Sequence, residues 1–148
     1  METFNVLVKS TIFKPVEKVF NAIINPDELT RYFASKASDK LAMGNKIIWN
    51  FEDVGAKCEV QVFKVVENKE IHFEWNAIGT KPSMVNISLE SDNENQTNIE
   101  ITESSFDLSK IGVQEAMGQT QGWTDFICSL KAYLYTGINL RNRKKTEN

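Results

Sequence analysis

Cysteine, histidine and proline are all scarce in this chain of 148 residues, and each shortage removes a class of chemistry. Its two cysteines, Cys58 and Cys128, lie far apart and form no CxxC pair, so thiol redox and zinc motifs are absent. Both sit among apolar neighbours, which predicts buried, inert thiols. The single histidine, His72, alternates with Glu70, Glu74 and Asn76 and reads as a solvent-facing strand residue. It lacks the positioned partner that acid–base catalysis needs. No His, Cys, Asp or Glu cluster has metal-ligand spacing, and no GxSxG, P-loop or GxGxxG pattern occurs. No catalytic residue is identified, and no metal or cofactor is expected.

Positive charge is also in short supply. Lys and Arg number 17 against 20 Asp and Glu, a formal charge of −3, which argues against nucleic-acid binding. The basic residues cluster only at Arg141, Arg143, Lys144 and Lys145, which read as a solvated tail. No apolar run approaches the length of a membrane span. The opening METFNVLVKSTIF lacks the charged-then-apolar layout of a signal peptide, so a cytoplasmic protein without membrane insertion is expected. What remains is ordinary for a globular protein, with 41% hydrophobic and 25% charged residues. One domain over 1–138 and a basic, flexible tail over 139–148 are expected.

Residues 4–13 alternate, with Phe4, Val6, Val8 and Ile12 on one face, which predicts a strand. Pro15 opens a helical pattern through Val16, Val19, Phe20, Ile23 and Ile24. Asn25-Pro26 ends it, because the residue before proline avoids the α region. A second short helix is predicted at 26–32. From 36 to 106, short alternating segments separated by turns predict a six-strand antiparallel meander. It begins with a weak edge strand at 35–41, and a change of parity at Val62–Phe63 predicts a bulge or a twist. Gly79 to Pro82 reads as a loop.

A long amphipathic helix is predicted over 112–136. Its stripe is Ala116, Thr120, Trp123, Ile127, Leu130 and Leu134, widened by Phe126 and Tyr133. Gly118 and Gly122 predict a kink or a later start, and Gly137 a C-cap. A sheet with one apolar face must bury it, and only this helix is long enough. The expected fold class is α+β: a curved antiparallel sheet of six or seven strands around a long C-terminal helix, with two short helices after the first strand.

The segment FKPVEKVFNAIINPDELTRYF resembles the start of START-like domains (the SRPBCC, polyketide-cyclase/lipid-transport superfamily). The closing GWTDFICSLKAYLYTG is similar to the end of the branch related to the C-terminal domain of the heat-shock protein 90 ATPase activator. TNIEITESSF resembles that branch's last strand, with Ser105 where glycine is common. The resemblance covers nearly the whole chain. It implies the helix-grip fold with a ligand cavity between sheet and helix. For activator-like members it also implies surface contact with a chaperone and a place in the stress response. It implies no single reaction, because such folds host many functions.

The candidate ligand site is therefore the space between sheet and helix. Trp49, Phe51, Phe73, Trp75, Glu103, Trp123 and Ile127 are its expected lining, with Tyr32 and Phe33 at the entrance. Glu103 shares parity with Ile99 and Ile101 and points either to the helix side or, as a strand-end residue, to water or a lysine. Buried, it would be a polar anchor or an acid–base group. Three functions follow: binding a small apolar or amphipathic ligand; a protein-interaction module contacting a chaperone or itself; and a cyclase- or hydrolase-type enzyme using Glu103.

Overall fold

The computed structural model describes residues 2–77 and 81–141. The chain runs β1 (Thr3–Ile12), α1 (Val16–Ile24), α2 (Pro26–Leu29), β2 (Lys36–Ala37), β3 (Lys46–Phe51), β4 (Ala56–Val66), β5 (Glu70–Trp75), β6 (Ser83–Asn93), β7 (Gln96–Asp107) and α3 (Lys110–Thr136). The seven strands form one antiparallel sheet in the order β1-β7-β6-β5-β4-β3-β2. Strands β2 to β7 are thus the expected six-strand meander, and β1 closes onto its far end beside β7. The parity change at Val62–Phe63 is a register shift against β5, between Val62 and Lys64. Further shifts at Phe4/Val6 and Ser91/Asn93 supply irregularities of the kind that bend and twist a sheet. The result is the α+β helix-grip architecture.

Several boundaries differ from the sequence pattern. The edge strand expected over 35–41 shortens to Lys36–Ala37. After that pair, Ser38 N still donates to Ile48 O at 3.0 Å, but the return bond from Ile48 N goes to the Ser38 side-chain Oγ in place of its carbonyl. The second helix ends at Leu29, where Asn25 Oδ1 caps its start by accepting from Asp27 N at 2.9 Å. Of the loop expected at Gly79–Pro82, Gly79 and Thr80 lie outside the described residues, and Lys81 and Pro82 precede β6 without regular structure.

Helix α3 is unbroken and does not start late. Gly118 and Gly122 are exposed within one unbroken helix, so the glycines weaken propensity without opening a turn. Ser109 caps the start, accepting from Gly112 N at 3.1 Å. Gly112 lets the helix begin hard against the end of β7, since a Cβ there would lie 1.9 Å from Asp107 O. Gly137 ends the helix with φ 76° and donates to Tyr133 O at 2.8 Å. The buried stripe is Ala116, Trp123, Phe126, Ile127 and Leu130. Thr120, expected in it, is exposed, with its hydroxyl donating to Ala116 O. Gln119, four residues before Trp123, takes the inward position instead.

The core is one cluster joining this stripe to Ile71, Phe73, Val85, Ile87, Ile99 and Ile101 of the sheet. Helices α1 and α2 support it from one side. Tyr32 is wholly buried there and donates to Ala22 O at 2.9 Å. Burial, followed by the nearby Glu28 carboxylate, pushes the Tyr32 phenol well above its usual value.

Candidate functional site

Glu103 lies inside the protein, with no exposed surface. Strand β7 carries it between β1 and β6, opposite Val6 and Val85. Oε1 accepts from Trp123 Nε1 at 2.8 Å and from Gln119 Nε2 at 3.0 Å. Oε2 accepts from Trp75 Nε1 at 3.0 Å and from the Ser83 hydroxyl. A carboxylate offers about four lone-pair positions, and here four donors occupy them. Those donors come from β5, β6 and α3, so Glu103 fastens the helix to the sheet. The two indoles that reach it pack against each other, with centroids 5.2 Å apart.

In front of the indoles is a cavity of about 200 Å³. Phe33, Phe51, Trp75 and Trp123 form its aromatic walls, and Ala56, Cys58, Ala77 and Gly122 leave the space open. Phe33 meets Phe51 edge to face at 5.0 Å and Phe126 at 4.8 Å, so the walls brace one another. Arg141 stands at the mouth. Its guanidinium donates to Asp53 at 2.9 and 3.1 Å, lies 3.8 Å from Asp125, and sits 5.6 Å from the centre of the Phe51 ring. The chain beyond Gly137 folds back to place it, with Asn139 Oδ1 accepting from Arg141 N at 2.9 Å. Arg141 is therefore tied to the domain and is not part of a solvated tail. Arg143, Lys144 and Lys145 lie outside the described residues.

A family model described as activator of Hsp90 ATPase homolog 1-like protein matches residues 14–135, which takes in strands β2 to β7, the cavity walls except Arg141 and nearly all of α3. The chain belongs to this family. No curated protein matches it. Among solved structures, the protein SSP2350 from Staphylococcus saprophyticus is 26% identical, with TM-score 0.80, covering 93% of this chain and 96% of that one. DynU16, described as a putative protein in the dynemicin biosynthetic locus, is 24% identical with TM-score 0.80. That match covers 90% of this chain and 48% of DynU16, so this chain spans about half its length. The Aha1 dimer from Colwellia psychrerythraea is 23% identical with TM-score 0.75, covering 90% and 98% of the two chains. The last two likenesses show the shared fold.

Within this Hsp90-activator-like domain, the residues singled out from sequence separate into layers. Phe33, Phe51, Trp75 and Trp123 meet at the cavity. Trp49 and Phe73 pack behind it, each in edge contact with Trp75. Ile127 is buried in the core and is not among the cavity walls. Tyr32 is not at the entrance: its ring stacks on Tyr133 at 5.6 Å and is buried beneath α1. Glu103 lies behind the indoles and does not line the cavity. Its oxygens are both engaged, which leaves no open position for exchanging a proton with a bound molecule. Sequence reasoning missed Gln119, Gly122 and Arg141. Gln119 was legible as the residue one helical turn before Trp123, whereas Arg141 depends on a fold-back that no periodicity encodes. Among the described residues, no group of three His, Cys, Asp or Glu stands close enough to hold a metal, and no helix is long and apolar enough to cross a membrane.

The thiols also separate, correcting the expectation that both are buried. Cys58 is 7% exposed, and burial raises its pKa above the ordinary value. Cys128 is exposed, because it lies on the outer face of α3, away from the Phe126–Ile127 stripe. A thiol reagent added to native protein is expected to label Cys128 rapidly and Cys58 slowly, since thiolate fraction and access govern the rate. Mass spectrometry of the labelled peptides reads this directly. Fast labelling at Cys58 would show that the cavity wall opens on the reagent's timescale.

Proposed function

We propose that this domain binds a small apolar ligand in the aromatic cavity between sheet and α3. The observation that carries this reading is an open space of about 200 Å³ walled by Phe33, Phe51, Trp75 and Trp123. Interiors of folded proteins are close-packed with few voids, so an apolar hollow beside two indoles is a binding feature. Trp49, Phe73 and Ile127 support the walls from behind. The acid–base role for Glu103 is the weaker alternative, because four donors already hold its oxygens.

Gly122→Leu tests the reading without attacking the fold. Gly122 is an exposed helical residue on the cavity edge, and a Cβ there meets no atom within 4 Å. Replacing a mid-helix glycine stabilises by up to about 1 kcal/mol on propensity. The added side chain fills the cavity, so binding of 2-methylnaphthalene, measured by calorimetry, is expected to fall at least about tenfold, or roughly 1.4 kcal/mol. Unchanged affinity in a folded variant would remove the cavity as the site.

A second reading, protein interaction, is favoured by exposed apolar side chains around the start of α3: Leu108, Ile111, Val113 and Met117. Large exposed apolar groups near one another mark association surfaces. Under this reading the domain self-associates or contacts a chaperone through that end. Sedimentation of the parent is expected to show a dimer that Ile111→Asp dissociates. A monomer at all accessible concentrations would count against self-association.

A further inference from the structure

The cavity's polar chemistry is one-sided. Trp75 and Trp123 both line it, and both indole N–H groups are engaged by Glu103. Two donors that would have served a ligand's carbonyl or carboxylate are thereby engaged inside the protein. Arg141, at the mouth, is held by Asp53 at 2.9 and 3.1 Å and has Asp125 as a further acidic neighbour.

Gln119 is different. Its Nε2 donates to Glu103 Oε1 at 3.0 Å. A carboxylate is an acceptor, so the amide cannot turn its oxygen that way without setting acceptor against acceptor. Glu103 thus fixes which end of Gln119 is free to face elsewhere. That end is Oε1, which accepts no hydrogen bond from the described residues, on a half-buried side chain lining the cavity. The site therefore offers aromatic faces and a carbonyl-type acceptor of fixed orientation. Drug-sized ligands occupy pockets of roughly 300–1,000 Å³. A cavity of about 200 Å³ suits one or two rings.

With the cavity as the binding site proposed above, we infer that it selects a one- or two-ring aromatic ligand carrying a hydrogen-bond donor, a phenol or an aryl N–H, which Gln119 Oε1 accepts. Glu103 is the positioning residue that orients Gln119. Anionic aromatic acids are disfavoured, because they bring acceptors to an acceptor and approach past Asp125.

The test compares 2-naphthol, 2-methylnaphthalene and 2-naphthoate by calorimetry on the full chain. The first two have nearly the same shape and differ in the donor. A hydroxyl buried without a partner weakens binding, whereas one that is accepted strengthens it, so the sign of the difference is decisive. The parent is expected to bind 2-naphthol about fivefold to tenfold more tightly than 2-methylnaphthalene, the usual value of one net hydrogen bond, with 2-naphthoate weakest. In Gln119→Met the preference is expected to vanish or reverse while 2-methylnaphthalene still binds. In Glu103→Gln it should shrink, because a second amide lets Gln119 turn over. The preference is a ratio within one variant, so partial unfolding does not distort it. Equal affinities in the parent, a preference that survives Gln119→Met, or tightest binding of 2-naphthoate would each overturn the inference while leaving the cavity as a binding site. Failure of all three probes would overturn the cavity reading itself.

Discussion

Glu103→Gln is expected to destabilise the fold by about 1–3 kcal/mol, although it changes one atom in shape. The substitution puts an NH2 where a carboxylate oxygen now accepts two hydrogen bonds. Whichever oxygen is replaced, an indole N–H loses its acceptor, Trp123 on one side or Trp75 on the other; Gln119 can turn its amide and Ser83 its hydroxyl to accept from the new NH2, whereas an indole only donates. An orphaned buried donor costs about 1–3 kcal/mol, and the new amide hydrogens meet it head-on. For a domain of this size the melting temperature should drop by on the order of 5 °C. Urea melts of parent and variant measure the loss. A difference below about 0.5 kcal/mol would mean that the indoles find other acceptors and that Glu103 does not fasten helix to sheet.

Leu130→Ala is expected to cost about 2–5 kcal/mol, the range for truncating a buried leucine. Leu130 has no exposed surface and belongs to the stripe by which α3 closes the sheet. The control is Gln121→Ala on the same helix, outside the apolar patch at its start. Gln121 is exposed, and surface truncations usually stay within about 0.5 kcal/mol. Denaturant melts should therefore separate the two variants by several times the error of either. Similar losses at both positions would mean that the helix is rotated from the face described.

Much of the fold was legible because it follows from periodicity. Alternation along the strands put Val6, Ile47, Trp49, Phe73, Val85 and Ile101 inward, and each is buried. The parity change at Val62 marked a real register shift, because an inserted residue reverses which side chains face inward along the strand. Where two rules competed, the sequence misled. Thr120 and Gln119 are adjacent, and hydropathy favours the threonine for the buried stripe. Packing chose Gln119, because its amide reaches a carboxylate that only the folded sheet supplies.

By itself the sequence determined the order of elements, the inward face of each strand and the helix that must cover them, because these depend on neighbours along the chain. Whether Glu103 faced water or the interior was undecided, since a strand end permits both. The tertiary structure decided it by bringing Trp75, Ser83, Gln119 and Trp123 onto its two oxygens from three elements. It likewise separated the cavity walls from the aromatic packing behind them, and tied Arg141 to Asp53 across the mouth. Those outcomes rest on contacts between residues distant in sequence. Such contacts depend on how the curved sheet and α3 meet, and no local pattern of polarity carries that information.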